Sequence, residues 1–323
     1  MHLDPAELAL IDGWQRNFPL LPRPYLHIAH TLGLSEAEVI DRLCDLRIKG
    51  ILARVGATIR PNTAGASTLA AMRVKAGRLE EGAGIVSEEP FVNHNYEREH
   101  DFNLWFVITA ADRAAVDSVL SRIRGRTGLD VLDLPLVRSF WLDLGFTIQE
   151  PRNEVSRSQV SPPARAVHAH ERALLTALSD GLALEPRPFR RLARGLATSE
   201  GEVLRALNRL IADGIISRLG LIVRHRALGF TANAMAVFDV PDENVERIGA
   251  RFARESAVSL CYERPRRTGW RFNLFTMVHG RDRSLVIRQI EDMADRAGAR
   301  ELPRAILFSR RCFKQTGATL RAA

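Results

Sequence analysis

Cysteine is nearly missing from this 323-residue chain: Cys44, Cys261 and Cys312 stand far apart, and no Cys-x-x-Cys pair occurs. An odd, scattered set of thiols argues against a disulfide framework and against a structural zinc site. Long apolar runs are missing too, since no segment reaches the roughly 18 uninterrupted apolar residues of a membrane span. The opening "MHLDPAELAL" has no basic stretch followed by an apolar core, so the expected location is the cytoplasm. Acid is scarce relative to base: 38 Asp+Glu against 46 Lys+Arg give a formal charge of +8 and a pI near 10.2. The preferred partner is therefore anionic, whether nucleic acid, an acidic membrane surface or a polyacidic small molecule. What is plentiful is apolar residue, 46% of the chain, enough for two ordinary domains with buried cores.

The chain is written twice. "PRPYLHIAHTLGLSEAEVIDRLCDLRIKGILARVGATIRP" from Pro22 returns as "PRPFRRLARGLATSEGEVLRALNRLIADGIISRLGLIVRH" from Pro186, an offset of 186 − 22 = 164. Ser35, Glu38, Leu43, Gly50, Arg54, Gly56, Arg60 and Gly65 all meet an identical residue under that offset. The offset grows to 166 at Tyr96/Tyr262 and 170 at Phe102/Phe272, so residues were gained just before and within the second copy of one motif. Between the halves, "QEPRNEVSRSQVSPPARA" is rich in Pro, Ser and Arg and lacks hydrophobic periodicity, which reads as a linker.

Within each half, "SEAEVIDRLCDLRIKG" puts Val39, Leu43 and Leu46 on one helix face, with Ser35 and Glu38 spaced as a capping box and Gly50 as the stop. The following "ILARVGATIRP" reads as a two-strand wing, which makes a winged helix-turn-helix. The remainder alternates as strand "ASTLAAMRV", helix "GRLEEGAGIVSEE", strands "FVNHNYERE" and "FNLWFVITA", helix "DRAAVDSVLSRIRGRTG" and last strand "LVRSFWLDLGF". That is β-α-β-β-α-β, a ferredoxin-like order. The expected fold is α+β: two tandem copies of a winged helix-turn-helix plus a ferredoxin-like domain, arranged as a pseudo-dimer with sheets packed face to face. The boundaries are 1–60 and 61–148 for the first copy, 149–166 for the linker, and 167–225 and 226–323 for the second.

A basic chain with helix-turn-helix and ferredoxin-like modules resembles the Lrp/AsnC transcription regulators. Base and phosphate contacts need Arg, Lys, Asn or Gln at the start of the recognition helix. Here the helices open with Glu36 and Glu38, and with Glu200 and Glu202, carboxylates that favour the helix and repel phosphate. Arg54, Arg60, Arg218 and Arg224 in the wings keep a DNA-binding regulator as an alternative.

The motifs "NHNYEREHDFNLWFV" and "LCYERPRRTGWRFNLFTMVHGRD", with "FPLLPRPY" and "RVGATIRPNTAGAS", resemble the siroheme decarboxylases, an Lrp/AsnC-derived enzyme family, over both halves. The fused two-half form is associated with haem d1 biosynthesis. The resemblance implies removal of CO2 from the C12 and C18 acetates of siroheme to give 12,18-didecarboxysiroheme. It implies no separate cofactor and no protein metal site, because the iron arrives with the substrate. The implied partners are siroheme and its decarboxylated products, with homologous decarboxylase subunits or further copies of the chain. DNA and membrane are not among them. A tetrapyrrole carrier or sensor that binds without reacting is a further alternative.

Chemistry supports a polyacidic ligand independently. Siroheme's eight carboxylates need cations to offset their desolvation, and Arg grips carboxylates bidentately. Arg98 in the first half, and Arg264, Arg266, Arg267 and Arg271 in the second, are the candidate grips; Tyr96, Tyr262 and Trp270 can pack on the macrocycle or donate to its carboxylates. Decarboxylation leaves electron density on the methylene carbon, which must be protonated, and a group titrating near neutrality suits that step. His94 and His279 are the first candidates and His100 the next. In the repeat, Leu260 stands where the first half has His94, which implies that the halves no longer do the same job.

Overall fold

A computed structural model of the chain describes residues 3–142, 165 and 167–317. Compactness divides it across the repeat, not along it: one unit is Met1–Ala64 with Gly145–Gly229, the other Gly65–Leu144 with Phe230–Ala323. The linker expected at 149–166 lies, apart from Arg165, outside the described residues.

The first unit holds α1 (Pro5–Trp14), α2 (Pro24–Leu32), α3 (Glu36–Ile48) and β1 (Leu52–Ile59), then α6 (Ala169–Ser179), α7 (Pro188–Gly195), α8 (Glu200–Ala212) and β7 (Ile216–Val223). The capping boxes form as the sequence implies: the Glu38 N–H donates to Ser35 Oγ and the Ser35 N–H to Glu38 Oε2, with Ser199 and Glu202 repeating the pattern. Gly50 and Gly214 close both helices at φ of +72° and +64°, a conformation that glycine adopts without strain. Glu36 and Glu200 pair with Arg23 and Arg187, residues just before α2 and α7, so these carboxylates brace the two helix-turn-helix elements.

The two-strand wing expected in each half does not form. Each "wing" is one eight-residue strand, and β1 pairs antiparallel with β7, with Val55 opposite Leu221 and Gly56 opposite Gly220. The partner of each strand is its own copy, a non-local relation that periodicity within one segment cannot carry. A Cβ on Gly220 would meet the Gln15 carbonyl at 2.3 Å, so glycine is what lets the end of α1 settle on this ribbon.

The second unit contains β2 (Ala66–Met72), α4 (Leu79–Glu88), β3 (Val92–Arg98), β4 (Leu104–Ala110), α5 (Arg113–Thr127), β5 (Val131–Pro135) and β6 (Arg138–Leu142) from the first repeat. From the second come β8 (Ala232–Phe238), α9 (Val245–Phe252), β9 (Val258–Glu263), β10 (Leu274–Gly280), α10 (Arg283–Ala297) and β11 (Arg304–Gln315). Among the described residues the strand order is β5-β2-β4-β3-β11-β8-β10-β9-β6. Each ferredoxin-like module is complete within it. The expected last strand, "LVRSFWLDLGF", is a different element: the module closes with β5, and "RSFWL" forms β6, which leaves to pair with β9 of the other module. Reciprocally, β11 pairs with β8 over Arg304–Phe308 and runs on to pair with β3 from Ser309 to Gln315. Period-two alternation is the same whichever strand is the partner, so the sequence could not distinguish these pairings.

Alternation splits each sheet into two faces. Ala70, Leu104 and Phe106 face the first module's helices, and Ala236, Leu274 and Val278 face those of the second. The other faces meet: Ala71, Trp105 and Leu134 cluster with Met235, Val237, Phe275 and Leu307. The face-to-face packing expected from the repeat is therefore present, and this inner face carries the polar residues described next.

Candidate active site

On β3, His94, Tyr96 and Arg98 share the inner face with Trp105, because Tyr96 and His94 lie opposite Trp105 and Val107 of β4. Asn95 points the other way, donating to the Ala83 carbonyl and Ser87 Oγ of α4 at 3.0 and 2.9 Å. In the second module Leu260, Tyr262 and Arg264 take the inner positions, and Cys261, fully buried, packs its Sγ 3.7 Å from the Gly249 carbonyl of α9. Cys261 is a small core filler, consistent with its lack of any sequence neighbour of its kind.

Both modules carry a β-bulge at the same step. Asn93 is the extra residue between Val92 and His94 opposite Ile108 and Val107; Ser259 is the extra residue between Val258 and Leu260 opposite Val278 and Met277. A bulge re-aims the side chains around it. In the first module it brings Asn93 Nδ2 within 3.1 Å of Thr109 Oγ1 and Asn93 Oδ1 within 3.0 Å of His94 Nδ1, while His94 stacks on Tyr96 with centroids 6.1 Å apart. In the second module the histidine at this corner comes from the neighbouring strand: His279 of β10 lies opposite Asn233 of β8, with Nδ1 2.6 Å from Asn233 Oδ1. Thr109 opposite Ser67 is the equivalent pair in the first module. Each module thus presents an asparagine-bound imidazole at one corner of its inner face, from non-equivalent strands.

The module's other candidates gather at the opposite end of β3 and β9. Arg98 Nη1 donates to the Leu307 carbonyl at 3.2 Å, and its Nη2 lies 3.8 Å from Met277 Sδ. Met277 and His279 are alternate residues of β10, so an arginine of one module reaches the histidine-bearing strand of the other. Arg264 Nη1 donates to the Leu134 carbonyl at 2.5 Å, while its Nε is sealed from water without a hydrogen-bond partner. Desolvation pushes its pKa down to about 10. Tyr262, buried beneath it, has its hydroxyl pushed up by desolvation, and both Arg98 and Arg264 lie over their neighbouring tyrosine rings at 5.7 and 5.4 Å.

His100 and Trp270 come together, with centroids 5.3 Å apart. His100 Nδ1 accepts the Phe102 N–H at 3.0 Å, and burial, reinforced by the nearby Arg73 cation against the opposing pull of Asp101, holds the ring's pKa below its usual value. Trp270 is buried among Phe102, Trp105, Phe272 and Phe275, and its Nε1–H has no acceptor among the described residues. The remaining arginines of the hairpin are arranged differently. Arg266 bonds Asp239, Asp242 and the Val240 carbonyl, Arg271 bonds Asp239 at 2.7 Å, and Arg267 donates to the Asp133 carbonyl at 3.0 Å. Reading the run as a grip on a ligand left these two aspartates out. It also missed Arg73, which occupies the position of Asp239 in the first module (239 − 73 = 166) and lies exposed over the Phe102 ring at 4.3 Å. A charge reversal at matched positions of the repeat was the signal that could have found it. Among the described residues no group of three or more His, Cys, Asp or Glu could hold a metal ion, and no helix is long and apolar enough to cross a membrane.

The AsnC-like ligand binding domain model matches residues 64–140 and 227–314, and the siroheme decarboxylase NirDL-like HTH domain model matches 7–52 and 171–216. The chain belongs to the siroheme decarboxylase family. Similarity to the siroheme decarboxylase NirDL subunit of Paracoccus denitrificans is 48% identity, covering 99% of this chain and 98% of that one. The NirD subunit of Pseudomonas aeruginosa is 47% identical over 46% of this chain and 100% of its own, so a siroheme decarboxylase subunit there matches one repeat here. The crystal structure of the siroheme decarboxylase NirDL in complex with an iron-uroporphyrin III analogue superposes with a TM-score of 0.68 at 28% identity, covering 98% of this chain and 93% of that one.

Proposed function

We propose that the chain decarboxylates siroheme, releasing CO2 from the C12 and C18 acetates to give 12,18-didecarboxysiroheme in haem d1 biosynthesis. The observation that carries this reading is the composite inner face, where Arg98 of one module reaches the β10 strand that bears His279 of the other. In each reaction the bond between the acetate methylene and its carboxylate breaks, CO2 leaves, and the electron pair on the methylene carbon takes up a proton to become a methyl group. His94 and His279 are the proposed proton donors and His100 the next candidate; the siroheme iron belongs to the substrate. Arg98 and Arg264 are the proposed carboxylate grips, since an arginine held over a tyrosine and shielded from water offers a strong, directional charge. Arg266, Arg267 and Arg271 form an outer rim already bonded to Asp239, Asp242 and the Asp133 carbonyl, so they act on a ligand only by exchanging partners. Tyr96, Tyr262 and Trp270 line or underlie the same face. Pairing of the two halves within one chain supplies the two related modules, and further assembly with homologous subunits or copies belongs to the same proposal.

The test is anaerobic incubation of purified protein with siroheme, followed by mass spectrometry of the pigment. Loss of two carboxyl groups per macrocycle is expected. Stoichiometric retention of unchanged pigment would make the protein a carrier or sensor, and salt-sensitive, sequence-specific duplex binding without turnover would make it a regulator.

A further inference from the structure

The two asparagine-bound histidines are not held alike. Asn233 is 7% exposed, and its Nδ2 donates to the Phe230 carbonyl at 3.0 Å. A carbonyl can only accept, so this bond fixes which way the amide faces: nitrogen to Phe230, oxygen to His279. Asn233 Oδ1 in turn can only accept, and its 2.6 Å contact requires His279 Nδ1 to carry a hydrogen. In the first module the amide nitrogen of Asn93 meets a hydroxyl, Thr109 Oγ1, at 3.1 Å. A hydroxyl donates or accepts by rotation, so that partner does not determine the amide's orientation, and His94 Nδ1 at 3.0 Å can face either end.

We infer that Asn233 is a positioning residue that locks His279 in the Nδ1–H tautomer, making Nε2 the basic nitrogen of that ring, whereas Asn93 imposes no such lock on His94. The inference rests on the proposed decarboxylase reading for its catalytic meaning: a ring with a fixed basic nitrogen carries a proton to and from one defined position, so His279 is the principal proton-handling histidine. The two corners then differ in chemistry as well as in the strand that supplies the ring. Locking by a second group is how histidines are commonly set for proton transfer or ligation. Here the locking group is an amide anchored by backbone, which adds no charge beside the substrate's carboxylates.

Nitrogen-15 spectra of the full-length protein, labelled at histidine and recorded above the pH where the rings titrate, read the tautomer directly. Assignment comes from His279→Gln and His94→Gln. His279 is expected to show a pyrrole-type Nδ1 and a pyridine-type Nε2. Asn233→Leu is expected to shift it toward the Nε2–H form, and Asn233→Asp, which still presents an acceptor, to retain Nδ1–H. Asn93→Leu should move the His94 signals less. An Nε2–H tautomer for His279 in the wild type, or no change in Asn233→Leu, overturns the inference. Siroheme turnover is measured on the same proteins: kcat falling at least about tenfold in Asn233→Leu, with KM little changed and activity recovered in Asn233→Asp, is the expected pattern. A tautomer that switches while kcat stays constant leaves Asn233 as the lock and removes His279 from the proton transfer, which separates the failure of the functional reading from that of the inference.

Discussion

Arg98 and Arg264 make the same hydrogen bond in opposite modules, Arg98 to the Leu307 carbonyl and Arg264 to the Leu134 carbonyl. The acceptors are themselves equivalent: Leu134 and Leu307 differ by 307 − 134 = 173, as do Ser139 and Cys312, which lie opposite Tyr262 and Tyr96. Each arginine crosses to the other module's final ferredoxin strand, so the pseudo-symmetry survives in the inner-face cations even where it has been lost in the histidines.

Among the described residues Arg264 forms no ion pair, and its buried Nε–H is unsatisfied, an arrangement that does little for stability. Arg264→Met is therefore expected to change unfolding free energy by no more than about 1–2 kcal/mol, one hydrogen bond lost against desolvation relieved. Siroheme affinity should fall by about tenfold or more, the loss of one charge-assisted contact. Denaturant titration and pigment-binding titration on one preparation check both halves.

The charge reversal at Arg73 and Asp239 predicts unequal hairpin mouths. Arg73→Gln removes an exposed cation beside His100 and should weaken siroheme binding, with the effect fading as salt rises. Asp239→Asn releases Arg266 and Arg271 from their shared carboxylate and should strengthen binding of the polyacid. Affinities at low and high ionic strength decide the matter.

Acid below the ordinary carboxylate range should loosen the helix-turn-helix unit. Two bonds from Arg165, each 2.8 Å, hold Glu171 down to about 2, with the His168 N–H adding to them. A folded carboxyl with a depressed pKa takes up its proton later than the unfolded one, so its contribution is complete above the ordinary carboxylate range and disappears as pH falls toward 2. Arg165→Ala should lower Tm at pH 7 and flatten its decline between about pH 5 and 2. A parallel decline in both proteins would show that this pair is not responsible.

Strand exchange gives β6 a packing contact that the variant Gly249→Ala tests. A Cβ there would lie 2.5 Å from the Phe140 ring, which β6 inserts against α9. Overpacking of this kind costs about 1–3 kcal/mol, and Phe140→Leu in the same chain should recover part of it. An additive double variant would place the clash elsewhere.

Local features were legible in the sequence and non-local ones were not. The capping boxes at Ser35 and Ser199, the helix stops at Gly50 and Gly214, and the β-α-β-β-α-β order follow from spacing and periodicity, although the strand that closes the first module is Val131–Pro135 and not "LVRSFWLDLGF". The β1–β7 ribbon and the β6 and β11 exchanges did not, because a strand's alternation says which face is buried and not which strand lies beside it. At the site, the repeat directed attention to His94 and to the arginine-rich hairpin. Asn93 and Asn233 stayed hidden, one as a bulge residue and the other on a strand far from His279 in sequence. Asp239 and Asp242 stayed hidden for the same reason, more than twenty residues before the arginines they bind.

The central claim is tested most directly by following CO2 release and pigment mass in the wild type, His94→Ala and His279→Ala, each given siroheme without oxygen. The expected result is two CO2 per macrocycle from the wild type and a rate at least about tenfold lower when a proton-transferring histidine is removed, with the larger loss in His279→Ala and pigment still bound. No CO2 from folded wild-type protein, or unchanged rates in both variants, would contradict it.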